Sequence, residues 1–268
     1  MAMYVLKIED AVLHITKGNS KIGKTIHSFS TLPGNKEHLI FARGILLTDV
    51  PGTCTNLCEG CFSACYAVNS ARLHHNVNIK AWGDNTLLLR NKPDELFAAI
   101  DEYISKKNAK YYKTHDETKL GVTTWRWNVS GEIQNVEELE KMNELARKHP
   151  EVRFGIYTKN FEALVAFFNK HDDTEPNFAV NVSQWHHVAD DIMKKFEGKV
   201  NVFEYDDSNL KHNDLSEEDI IRLSKITHCP AVTKNGKHAK LPNGESITCD
   251  RCKRCYTKTG KLTAVYAH

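Results

Sequence analysis

Four of the eight cysteines fall within twelve residues, Cys54-Thr-Asn-Leu-Cys58-Glu-Gly-Cys61-Phe-Ser-Ala-Cys65. The first three are spaced C-x3-C-x2-C, and the fourth follows after three more residues. Thiolates this close in sequence can converge on one metal centre, and Gly60 gives the crowded turn its backbone freedom. A tetrahedral zinc ion is usually gripped by two separated pairs of ligands. Three thiolates within eight residues better suit three corners of an iron–sulfur cubane. The other four cysteines, Cys229, Cys249, Cys252 and Cys255, make a second set. A C-x2-C-x2-C run with a remote Cys-Pro has the ligand content of one [4Fe-4S] site, although Cys229-Pro230 here precedes the run. Arg251, Lys253 and Arg254 would offset the charge of a four-thiolate cluster. A structural zinc site on the same four cysteines is the alternative. In a reducing compartment, eight cysteines in two tight groups read as metal ligands rather than disulfides.

Such ligand sets need a scaffold. A chain of 268 residues can bury a large core and is compatible with one α/β domain plus a small appendage. Residues 1–40 read as a strand-and-turn lead-in. The apolar run Leu39 to Val50 predicts a buried strand that delivers the chain to Pro51-Gly52 and the cysteine loop. A helix from Phe62 toward Leu73 follows. Leu96, Phe97, Ile100, Tyr103 and Ile104 recur at helical spacing. Strands are predicted at Val122–Val129, Val152–Tyr157, Phe178–Val182 and Val200–Tyr205. Helices are predicted between them, one capped by Asn135 with Glu138, and another opens at Ser216. At least five strand–helix alternations imply a parallel sheet with helices outside. No G-x-G-x-x-G follows a strand, which counts against a dinucleotide-binding sheet. The expected fold is therefore a partial (β/α) barrel of five to six parallel strands over residues 41–226, with the cluster loop at 54–65. From residue 227 the alternation stops, and 227–268 reads as a small Cys-rich metal-binding module.

Polar residues at predicted strand ends are candidate ligand contacts, because barrels build their sites there. These are Ser130, Gly131 and Glu132 after one strand, Lys159 and Asn160 after the next, and Asn181, Ser183 and Gln184 after the third. Lys159, Asn181 and Ser183 suit a ribose or carboxylate. Trp125 and Trp127 share one face of their strand, and core packing is the reading preferred over stacking on adenine. Trp185 lies beside a predicted strand, and the pairs His74-His75 and His186-His187 read as surface or satisfied histidines rather than metal ligands.

The C-x3-C-x2-C loop after a strand resembles the cluster loop of radical S-adenosylmethionine (SAM) enzymes. Three cysteines there hold a [4Fe-4S] cluster whose fourth iron takes the amino and carboxylate groups of SAM. Ser130-Gly131-Glu132 resembles the Gly-Gly-Glu segment that binds the SAM amino group. The run into Cys65-Tyr66-Ala67, with Val129-Ser130-Gly131-Glu132 and Tyr157-Thr158-Lys159, resembles the phage "gene product 88" family over roughly residues 40–160. Gly60 stands where radical SAM loops carry an aromatic, and Cys65 adds a thiol that can close the site. The resemblance implies two [4Fe-4S] clusters, SAM, a substrate whose hydrogen is abstracted, and an electron donor such as flavodoxin or ferredoxin.

A net charge of +2 gives no electrostatic case for nucleic acid, and the lysines from Lys106 to Lys119 read as a solvated loop. The N-terminus lacks a signal-peptide pattern and no apolar run approaches a membrane span, so a cytoplasmic protein is expected. Two functional classes remain in play: a radical SAM-type enzyme, and a non-enzymatic iron–sulfur protein in which Cys65 closes the first cluster. A zinc-stapled nucleic-acid module is a third, disfavoured by the charge.

Overall fold

Strand–helix alternation is carried through in the computed structural model, which describes residues 3–19, 22–57, 59–63, 65–114, 121–184, 194–206, 208, 225–235 and 237–266. Strands Thr16–Asn19 (β1), Gly23–Ser28 (β2), Thr124–Arg126 (β5), Arg153–Thr158 (β6), Phe178–Gln184 (β7), Asn201–Asp206 (β8) and Leu262–Tyr266 (β9) form one sheet, in the order β1-β2-β5-β6-β7-β8-β9. A hairpin of Phe41–Ala42 (β3) and Ile45–Leu46 (β4) stands apart. β1 is antiparallel to β2, and every other pairing in the large sheet is parallel. The six parallel strands follow one another in space as they do in sequence. Their winding never reverses, as it does at the switch point of a doubly wound sheet.

The period-2 alternation of each strand gives the sheet two distinct faces. Trp125, Phe154, Ile156, Phe178, Val180 and Val182 turn to one face. There they meet Ile100 of helix Pro93–Thr114 (α4), Leu139 and Met142 of helix Val136–Lys148 (α5), and Leu164 and Phe167 of helix Phe161–Lys170 (α6). These helices start where the sequence says they should. The Asn135 side chain accepts from the Glu138 N–H at 2.9 Å, and the Glu138 carboxylate accepts from the Gln134 N–H at 2.9 Å. Lys106 lies within α4 and pairs with Glu102 at 2.6 Å, so the expected loop there is helix up to Thr114.

The opposite face is covered by the C-terminal segment. Helix Cys249–Cys252 (α7) packs on β2, and the turn Arg254–Tyr256 packs on β6 and β7. A Cβ on Gly155 would stand 2.6 Å from the Tyr256 ring. Asn181 binds this arrangement together: its amide donates to the carbonyls of Ile156 (2.8 Å) and Cys255 (2.9 Å), and its oxygen accepts from Asn201 (3.0 Å). The tail then ends in β9, the outer parallel strand. It is therefore part of the sheet and not a module set apart from it.

A second correction concerns the strand entering the cysteine loop. Leu39–Val50 is not a core strand. It contains the β3–β4 hairpin, turned by Arg43 (φ 51°) and Gly44 (φ 75°), the double positive φ that a tight hairpin turn requires. The first core strand is β2, within the expected lead-in. Its sequence Gly-Lys-Thr-Ile-His-Ser carries too little apolar pattern to announce a buried strand. The helix expected from Ser216 and most of the one expected around Val188 and Ile192 lie outside the described residues.

Candidate functional site

Beyond β2 the chain stays beside β5: the N–H groups of Phe29 and Thr31 donate to the Arg126 and Ser130 carbonyls at 3.1 and 3.0 Å. After the hairpin excursion it returns, with Thr53 N–H donating to Leu32 and Cys54 N–H to Gly34 at 3.0 and 2.9 Å. The cysteine loop thus begins at the carboxyl edge of the first parallel strand. The expected helix is broken in two, Glu59–Ser63 (α1) and Tyr66–Leu73 (α2), followed by His75–Asn91 (α3). Cys65 sits in the break as the N-cap residue of α2. Cys54, Cys61 and Cys65 all border one cavity of about 280 Å³. Cys58 lies outside the described residues. Among those described, no three histidine, cysteine or carboxylate side chains are gathered as ligands of a single ion.

Burial pushes the Cys54 thiol up to about 12, and the neighbouring Glu132, Cys65 and Cys61 act in the same direction. A neutral thiol is the stable form there until a cation compensates the thiolate. Lys159 supplies positive charge on the opposite wall, its ammonium donating to the Cys61 sulfur at 2.9 Å.

Ser130, Gly131, Glu132, Lys159 and Ser183 border this cavity. Glu132 is engaged by the protein itself: its carboxylate oxygens accept from the N–H groups of Ile133 (2.9 Å) and Lys159 (2.8 Å). Burial nonetheless keeps its carboxyl above the usual range, because those hydrogen bonds only partly offset desolvation. Gly131 has φ 86°, and a Cβ on it would stand 1.9 Å from Thr31 Oγ1 and 2.5 Å from Thr53 Oγ1. Its smallness lets the loops pack against each other. Asn181 does not reach the cavity, being spent on the tail, and Asn160 caps α6 by accepting from Ala163 N–H at 3.0 Å. The Gln184 side chain, Trp185, His186 and His187 lie outside the described residues. His75 is held by the Tyr4 hydroxyl at 3.2 Å.

The second cysteine set lies behind the same wall. The Tyr157 hydroxyl donates to the Cys255 sulfur at 2.7 Å. Burial pushes Cys255 up to about 12 and Cys249 up to about 11, with Cys229 among the neighbours of both. The Cys229 N–H donates to Ala264 of β9 at 2.8 Å. Arg251 is turned away to Glu245, and the cation close to Cys249 and Cys255 is Arg126. Sequence reasoning missed Arg126, Asn128, Tyr66, Phe203 and Tyr205, all of which border the cavity. For Arg126 a signal existed: it alternates with two tryptophans on one strand, so it must face the other way.

A family model described as Gene product 88 matches residues 13–258. The chain belongs to the Gene product 88 family. The match extends well past the cysteine loop and its neighbours, so both cysteine sets of this Gene product 88 protein lie inside the family's span. No curated protein and no solved structure matches the chain. No helix among the described residues is long and apolar enough to cross a membrane.

Proposed function

We propose that this Gene product 88 protein is an iron–sulfur enzyme of radical SAM type. The observation that carries the reading is the cavity itself: it is bordered at once by three loop thiols and by the Ser130-Gly131-Glu132 segment. Sequential parallel strands with helices on one face support a partial barrel, and the cavity lies where barrel enzymes place their sites. Soft thiol donors on one wall, with an ammonium donated to one of them, suit an iron–sulfur cluster. Cys54, Cys58 and Cys61 would hold it. Such a cluster would supply the electron for reductive cleavage of SAM and so for abstraction of hydrogen from a substrate. The chain's own residues would hold the cluster, seat SAM, and exclude water from the cavity. The second cysteine set would hold an auxiliary [4Fe-4S] cluster, with zinc as the competing occupant. The electron donor would be a flavodoxin or ferredoxin.

Calorimetry of SAM with anaerobically reconstituted protein tests this, together with release of 5′-deoxyadenosine after reduction by dithionite. Fully loaded protein that binds no SAM removes the enzyme reading.

The position of Cys65 favours a second reading, a closed cluster serving electron transfer or structure. Cys65→Ala and Cys58→Ala separate the two by iron content and electron paramagnetic resonance. An open site keeps its cluster and its SAM-induced spectral change in Cys65→Ala, whereas a closed site loses the cluster in both variants.

A further inference from the structure

Three polar residues at and beyond the end of β5 border the cavity. Trp125 and Trp127 are fully buried on the helix-covered face, so Arg126 between them is turned to the other side. Its guanidinium carbon lies 4.7 Å from the centre of the Tyr157 ring. Its Nε has no hydrogen-bond partner, and among the described residues no carboxylate pairs with it. Asn128 is 4% exposed and Ser130 3% exposed. Neither the Asn128 amide nor the Ser130 hydroxyl has a hydrogen-bond partner, although the Glu138 carboxyl lies near the amide. Asn128 also takes a left-handed backbone, φ 47°. Asparagine tolerates that conformation better than most residues, and such strain gathers at ligand sites.

We propose that Arg126, Asn128 and Ser130 form an anion subsite of the cavity, which takes a carboxylate or phosphate group of the bound small molecule. A guanidinium removed from water without a counter-charge is costly, and its planar fork matches carboxylate and phosphate oxygens. Two of the nearby thiols already have a donor of their own: Lys159 donates to Cys61 and Tyr157 to Cys255. Tyr157 meets Phe203 at 4.9 Å between ring centres, and both border the cavity. The guanidinium lies against this aromatic wall, which holds it in one orientation. The subsite rests on the reading that the cavity binds a ligand, and not on that ligand being SAM.

The test uses the full chain, reconstituted anaerobically, with inorganic pyrophosphate and malonate as probes at constant ionic strength. Thermal unfolding and calorimetry are measured for the wild type, Arg126→Gln, Arg126→Lys and Ser130→Ala. Binding of one probe identifies phosphate or carboxylate as the chemistry. Affinity for that probe falls at least tenfold in Arg126→Gln, recovers in part in Arg126→Lys, and falls less in Ser130→Ala. If Arg126→Gln does not fold, the contrast between Arg126→Lys and Ser130→Ala carries the test. The proposal is overturned if the wild type binds neither probe or if Arg126 variants bind as it does. It is also overturned if Arg126→Gln loses iron while anion binding is unchanged, which would assign the guanidinium to the cysteine set. Protein that binds a probe anion but not SAM refutes the enzyme reading and leaves the subsite standing.

Discussion

The two cysteine sets have similar local spacing and opposite surroundings. The first opens onto a cavity and faces buried polar atoms that have no partner. The second is packed into the sheet, where Cys249 and Cys255 touch a small apolar cluster of Ile22, Ile26 and Tyr256. One strand serves both. On β6 the Tyr157 side chain donates to Cys255, and Lys159, just past its end, donates to Cys61. Two residues apart, these side chains share a face. The contrast shows that similar thiol spacing can sit in different surroundings, and that the packing around the thiols decides whether a small molecule can reach them.

The largest expected effect breaks the second set. Cys255→Ala should remove about four irons if a cluster sits there, or one zinc if not, and cost roughly 3 kcal/mol or more by loosening the tail. Metal analysis and thermal unfolding check both. Cys61→Ala should remove any iron held by the first set with a much smaller loss of stability, since that loop borders a cavity rather than the core. Equal losses from the two variants would erase the distinction drawn between the sets.

Next in size is Gly155→Val. Its side chain would meet the Tyr256 ring and the Cys255 carbonyl, which already stand 2.6 and 2.8 Å from a Cβ. Overpacking of this kind costs about 1–3 kcal/mol, and hydrogen exchange should show the loss concentrated in the tail and β6. Lys159→Met should leave the fold intact and, if the first set holds a cluster, lower that cluster's reduction potential. A hydrogen bond to a charged group is worth roughly 1.5–3 kcal/mol, so the reduction equilibrium should shift by about tenfold or more. Redox titration followed by electron paramagnetic resonance reads this, and an unchanged potential would remove Lys159 from the cluster's environment.

The smallest effects sharpen the boundary of the cavity. Burial pushes the Glu138 carboxyl up to about 8, with Glu132 adding to the rise and the Gln134 N–H opposing it. The folded protein thus keeps a proton that the unfolded chain releases near 4.5, the ordinary value. The corresponding stability is complete below that pH and is lost as pH rises toward about 8. Denaturant unfolding of Glu138→Gln should show a flatter pH profile across that window. Asn135→Ala removes the α5 cap and should cost about 1 kcal/mol without altering either metal set.

Much of the scaffold could be read before any coordinates. The strands at β5 to β8 and the helices α4 to α6 have strong local periodicity, and the Asn135–Glu138 cap is a local hydrogen-bond pattern. The convergence of Cys54 and Cys61 follows from their spacing. What failed were the non-local matters. β2 is polar by composition and becomes a core strand only because β5 and the tail cover it. Leu39–Val50 is apolar yet forms a hairpin, because Arg43-Gly44 reverses the chain.

The sequence by itself determined the alternation of elements, the gathering of the eight cysteines into two groups, and the face on which Arg126 must stand. Each of these depends on residues within a few positions of one another. Only the tertiary structure decided that the tail enters the sheet as β9, that Asn181 braces that tail, and that Glu132 is held by backbone N–H groups. It also brought Cys65 to the cavity and left the Arg126 Nε, the Asn128 amide and the Ser130 hydroxyl without hydrogen-bond partners beside it. Those outcomes depend on contacts between residues far apart in the chain, whose pairing no local pattern encodes.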